Sequence, residues 1–137
     1  MFVGNYRDSK DLNQLQTHNI THILAIHDSP KHLYPQIHYL CVKANDHPDQ
    51  NLSQYFSVCN DFIHAARLRK DCNVLVHCLA GMSRSVTITV VYIMCISDLN
   101  WQDALRYIIK LLIYTIEILY CKITFIFLSG LLELEEK

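Results

Sequence analysis

The chain has only three glycines and three prolines, and no surplus of either charge: 12 lysines and arginines face 13 aspartates and glutamates. Balanced charge excludes a broad basic face, so no nucleic acid is expected as a partner. The short basic run Arg67-Leu68-Arg69-Lys70 closes an expected helix, where cations complement the carbonyl end; the alternative is a substrate-docking role. No repeat, proline-rich linker or low-complexity tract divides the 137 residues, which suffice for one domain with a real core. No CxxC pair occurs among the six cysteines, and several lie in apolar runs where a thiol packs as a small hydrophobe. The opening MFVGNYRDSKDL turns polar at once, unlike a secretory leader. A reduced chain of the cytoplasm, and of the nucleus as a second compartment, is therefore expected, not a secreted one. The sequons at Asn19 and Asn51 then carry no meaning. Eight histidines are scattered without metal-site spacing, so no metal is expected.

What is present is an alternation of short apolar runs and helical patterns. THILAIHD (21–28), HYLCVKAND (38–46) and CNVLVHC (72–78) are expected strands, the last buried and central, and FVGN is the stub of a fourth. Residues 9–17 and 52–69 are expected helices, the second opened by Asn51 and presenting Leu52, Tyr55, Phe56, Cys59, Ile63 and Ala66 on one face. Another helix is expected over 100–112, capped by Asn100. SVTITVVYIMCIS (85–97) has the composition of a strand, yet a helix is expected there, because an anion-binding loop needs a helix N-terminus behind it. The fold class is α/β, with a mostly parallel central sheet flanked by helices.

The chemistry concentrates in NVLVHCLAGMSRSVTITV (73–90). Cys78 stands where the buried strand ends, the usual place for ligands in open α/β sheets. Leu79, Ala80, Gly81, Met82 and Ser83 give enough chain to curl into a ring of inward N–H groups, a nest for an anion. Gly81 supplies the backbone freedom that a tight loop needs. Arg84 offers a planar fork for two phosphate oxygens. Arg84 and the helix behind it favour Cys78 as the thiolate, the nucleophilic form. Ser85 is placed to donate its hydroxyl to that sulfur, and His77 to orient the loop through backbone hydrogen bonds. A Walker A loop is excluded, since no Gly-Lys-Ser/Thr follows. A candidate proton donor remains open among Asp28, Asp46 and Asp49, all at or beyond strand ends.

VHCLAGMSRS resembles the signature loop of the cysteine-dependent protein phosphatases. Together with THILAIHDS, YLCVKANDHPDQNL and FIHAARLRKDCNVLVHC it is similar to the small atypical dual-specificity phosphatases, over roughly residues 2–108. The resemblance implies hydrolysis of phosphotyrosine and phosphoserine/threonine in proteins through a phosphocysteine. Cys78 would attack, and Arg84 with the amides of residues 79–84 would hold the phosphate. The resemblance selects Asp46 as the acid, leaving Asp28 as a turn or capping residue. It implies no metal or organic cofactor, and phosphorylated proteins, kinase-cascade components among them, as partners.

Two departures from that family qualify the expectation. Its members begin with a longer opening strand than FVGN, and residue 2 is Phe where a myristoylated member has Gly. After WQDALRYI the pattern is lost: residues 1–108 form the expected catalytic domain and 109–137 a divergent hydrophobic segment. Residues 111–128 have the minimum length of a membrane span, but Glu117 and Lys122 each cost about 2.5–3.5 kcal/mol near a helix centre. A tail anchor, a hydrophobic helix packed on the sheet, and a variant end that compromises folding are the three readings. The rival function is a phosphoprotein binder that keeps the nest without turnover.

Overall fold

The computed structural model describes residues 1–47, 49–79 and 83–115, with side chains of the last helix as far as Ile108. Four strands, β1 (Phe2–Gly4), β2 (Ile20–His27), β3 (His38–Lys43) and β4 (Asn73–His77), form one sheet in the order β1-β4-β2-β3. Every pairing is parallel, as in Phe2 with Leu75, Ile23 with Leu75, and Leu24 with Leu40. All four carboxyl ends therefore lie along the same edge of the sheet.

Side-chain alternation assigns the two faces. Leu24, Ile26, Val42, Val74 and Val76 point to one face, under α3 (Phe56–Leu68) and α4 (Arg84–Ile96), where Cys59, Ile63, Ala66, Ile88 and Tyr92 meet them. Ile23, Ala25 and Leu75 point to the other, against Leu15 of α2 (Leu12–Thr17) and Ile37. Each fully buried aliphatic side chain stabilises the fold by about 1.5–3 kcal/mol. The last helix, α5 (Trp101–Thr115), packs Ala104 and Ile108 on Val86, Val90 and Ile93 of α4.

The β-branched stretch is helical, as its place after the loop predicts. Residues Arg84 to Ile93 of α4 are all buried, so this part of the helix is covered on every side. Its two threonines satisfy their hydroxyls locally: Thr87 Oγ1 donates to Ser83 O at 2.9 Å and Thr89 Oγ1 to Ser85 O at 2.8 Å.

The expected helix at 9–17 is two helices. α1 (Tyr6–Lys10) starts earlier, under a capping box in which Asp8 N–H donates to Asn5 Oδ1 at 3.0 Å and Asn5 N–H to Asp8 Oδ2 at 2.8 Å. Asp11 then closes α1 and caps α2 by accepting from Gln14 N–H at 3.2 Å. Gly4 makes the box possible, because a Cβ there would lie 2.6 Å from Asp8 Oδ2. The helix expected from residue 52 opens with a 3-10 turn (Ser53–Tyr55), where Asn51 Oδ1 accepts Ser53 N–H at 3.0 Å. Asn100 caps α5 as expected, accepting from Asp103 N–H at 2.9 Å. α5 then runs to Thr115 without a break at residue 108.

The amino ends of β2 and β4 are tied together at the opposite pole. Asn19 and Asp71 both adopt left-handed backbone, at φ 50° and 66°, and Asn19 Nδ2 donates to Asp71 O at 2.9 Å. Among the described residues no helix is long and apolar enough to cross a membrane. The 111–128 segment lies outside the described residues beyond Thr115.

Candidate active site

β4 ends at His77, and Cys78 follows it, buried in the core. Its Sγ lies 3.2 Å from Ser85 Oγ, in the first turn of α4. The thiol is thus held between a strand end and a helix N-terminus, where the helix field favours its ionised form. Ser83 occupies the N-cap position of α4, and its carbonyl accepts Thr87 N–H at 2.9 Å. Leu79 is exposed, and its carbonyl accepts Tyr6 N–H at 3.1 Å, so α1 braces the start of the loop. Ala80, Gly81 and Met82, expected to complete the ring of amides, lie outside the described residues.

Arg84 is 2% exposed, an unusual place for a guanidinium. Nη1 donates to Ala44 O at 2.8 Å, and Asp28 Oδ1 stands 3.6 Å from the same nitrogen. Arg84 Nε is buried and has no hydrogen-bond partner among the described residues. A buried, open charged donor beside a thiol is the requirement for holding an oxyanion there.

His77 donates Nδ1–H to the carbonyl of Cys78 at 3.1 Å, since that oxygen can only accept. Burial pushes its pKa down to about 4 against the opposing pull of the Cys78 carbonyl, and neighbouring His27 lowers it further. His27 carries the opposite tautomer, because its Nδ1 accepts Ser29 N–H at 3.2 Å. Burial lowers its pKa first, then the charge of Arg84, with Asp28 opposing. Both imidazoles are neutral near pH 7, their rings tilted at 43° with centroids 5.6 Å apart.

Asp46 is exposed in the bend that leaves β3, two residues beyond Ala44. Asp49 is also exposed, and it pairs with His47 at 3.5 Å. Asp28, expected to turn or cap the chain, lies in the bend that follows β2 and also faces Arg84. Its pairing, and that of Ala44 with Arg84, escaped the sequence reading. The available signal was strand order: Asp28 follows β2, the direct neighbour of β4. A separate cavity of about 820 Å³ lies beside β1, lined by Phe2, Leu15, Ile93 and Ile108 among others, and includes neither Cys78 nor Arg84. It is not the place for this chemistry. Among the described residues no group of three potential metal ligands stands together.

A thiol at a parallel-strand exit, a hydroxyl on its sulfur and a buried guanidinium with an open donor define a cysteine-centred oxyanion site. The family model described as the dual specificity phosphatase catalytic domain matches residues 1–123, and the chain belongs to that family. It is 50% identical over 105 residues to dual specificity protein phosphatase 22 of Xenopus tropicalis, covering 77% of this chain and 50% of the relative. The human phosphatase 22 is 46% identical over 106 residues, covering 77% and 57%. The crystal structure of DUSP15 matches with a TM-score of 0.85 at 38% identity, over 96% of this chain and 80% of that one. The chain thus spans about half the length of the curated relatives it matches.

Proposed function

We propose that this chain is a protein phosphatase that hydrolyses phosphotyrosine and phosphoserine/threonine in proteins. The observation that carries the reading is the 3.2 Å contact of Cys78 Sγ with Ser85 Oγ beside the open Nε of buried Arg84. In the first step the Cys78 thiolate attacks phosphorus, and the bond to the substrate oxygen breaks as Asp46 gives that oxygen a proton. In the second, water attacks the phosphocysteine, Asp46 takes its proton, and the P–S bond breaks to return the thiolate. Ser85 stabilises the sulfur as attacker and leaving group. Arg84 and the amides of residues 79–84 hold the equatorial oxygens, so this route uses no metal or organic cofactor. His77 fixes the carbonyl of Cys78.

Residues 1–108 carry the catalytic unit in this reading, with 109–137 a divergent segment. In this reading the chain acts in the cytoplasm or nucleus, where its thiols stay reduced. Its substrates are phosphorylated proteins, kinase-cascade components among them. The test is hydrolysis of an aryl phosphate and of phosphopeptides by the purified full chain, with Cys78→Ser as control. Turnover that vanadate inhibits and Cys78→Ser abolishes supports the reading. Phosphopeptide binding without turnover would assign the chain as a binder.

A further inference from the structure

We propose that Asp28 is a positioning residue of the phosphate site, locking the Arg84 guanidinium so that its Nε edge stays open to the anion. The inference rests on the reading of Arg84 as the phosphate ligand and goes beyond it to a residue that touches no substrate. Arg84 is almost wholly buried, and a buried cation needs compensation. Among the described residues Asp28 is the carboxylate within ion-pair distance, at 3.6 Å from Nη1. The Ala44 carbonyl takes the same nitrogen at 2.8 Å. The Ala44 hydrogen bond and the Asp28 carboxylate at ion-pair distance act on the same nitrogen and together orient the guanidinium, whose Nε has no partner among the described residues. Burial and the charge of Arg84 lower the pKa of the adjacent His27 ring, so it does not compete as a second cation for the Asp28 carboxylate.

The geometry of the backbone explains how Asp28 reaches this position. It is the first residue past β2, and β2 lies directly beside β4 in a parallel sheet, with Ala25 in register with His77. Asp28 and Cys78 therefore leave the same sheet edge on neighbouring strands. The carboxylate is 54% exposed while the guanidinium is 2% exposed, so the pair spans the boundary between solvent and the buried site.

The sign of the effect separates this role from simple electrostatics. A carboxylate beside a phosphate site repels the dianion, so removing its charge alone would tighten anion binding. Loss of a lock on Arg84 would weaken it. The experiment is Asp28→Asn in the full chain, with inhibition constants for vanadate and inorganic phosphate and with KM and kcat on an aryl phosphate. The expected result is a rise of about two- to fivefold in both inhibition constants and in KM, the size of a half-exposed ion pair, with kcat little changed. Asp28→Glu, which keeps the carboxylate, should restore most of the affinity. Unchanged or tighter anion binding by Asp28→Asn in an active protein would overturn the proposal. Should Asp28→Asn not fold, nitrogen NMR of the unsubstituted chain decides: a locked Arg84 shows separate Nη signals, and averaged Nη signals would overturn it. An unsubstituted chain that neither hydrolyses aryl phosphate nor binds vanadate would overturn the phosphatase reading itself, and this inference with it.

Discussion

Arg84 Nη1 meets the carbonyl oxygen of Ala44 at 2.8 Å, joining the first residue of α4 to the exit of β3. The side chain assigned to phosphate thereby also fixes the backbone two residues before Asp46, the assigned proton donor. Arg84→Lys keeps the charge but loses the planar fork, so one ammonium cannot serve both tasks. The substitution should lower kcat/KM by about 10²-fold or more, on the scale of a lost transition-state donor. Where the lysine no longer reaches Ala44, an unsatisfied carbonyl should cost about 1–3 kcal/mol in chemical denaturation. Steady-state kinetics and a urea curve check the two effects separately.

Cys78 should be the cysteine that iodoacetate alkylates first at mildly acidic pH, and vanadate or phosphate should block the reaction. Burial pushes the Cys59 thiol up to about 12 and raises Cys41 above its usual range, so neither competes as a thiolate. Cys95 is exposed, and its labelling should not respond to phosphate. Peptide mapping after brief alkylation reads all of these at once. Equal labelling of several cysteines would remove the basis for a favoured thiolate.

Asp46→Ala should lower kcat on phosphopeptides by about 10²–10⁴-fold, the range a positioned acid contributes, while KM stays similar or falls. The loss should shrink on aryl phosphates whose leaving oxygen needs no proton. Asp49→Ala should show no such leaving-group dependence. A reversal of the two results would move the acid to Asp49, the other exposed aspartate of the same loop.

Acid should weaken the fold through His77. Its folded pKa is about 4 against an ordinary 6.5, so the unfolded chain takes up the proton first as pH falls. Stability is therefore full above about pH 6.5 and declines toward pH 4, with a slope of at most about 1.4 kcal/mol per pH unit from this group. His27 shifts in the same direction and adds to the decline. Urea midpoints at about pH 5 and pH 7 should differ less in His77→Asn than in the parent. An unchanged difference would mean that His77 is not the titrating group.

Strands and the helix of residues 85–97 were legible because their patterns are strong. Ile23 to Ile26 alternate between two buried faces, and α4 follows a loop that has little use without a helix N-terminus behind it. The split at Asp11 was less legible, because Asp11 ends one helix and caps the next, and apolar periodicity carries no mark of a shared cap. The pairing of Cys78 with Ser85 followed from spacing within one motif. The contacts of Arg84 with Asp28 and Ala44 did not, since they join three strand exits whose order in the sheet differs from their order in the chain. Tyr6 bracing Leu79 was hidden for the same reason.

Strand order also dictates when the centre can exist at all. β4 enters the sheet between β1 and β2, so the first strand has no partner among the described strands until residues 73–77 have been made and inserted. Among the described strands no hairpin shortens that wait, because each pairing there is parallel and non-local, a topology associated with slow folding. The same insertion event delivers the nucleophile, since Cys78 is the residue after β4. A partly folded chain that has only paired β2 with β3 carries Asp28 and Asp46 but not Cys78 beside them. The capacity to attack phosphorus should thus appear with the last central strand, and a nascent chain still held short of residue 78 should be chemically silent.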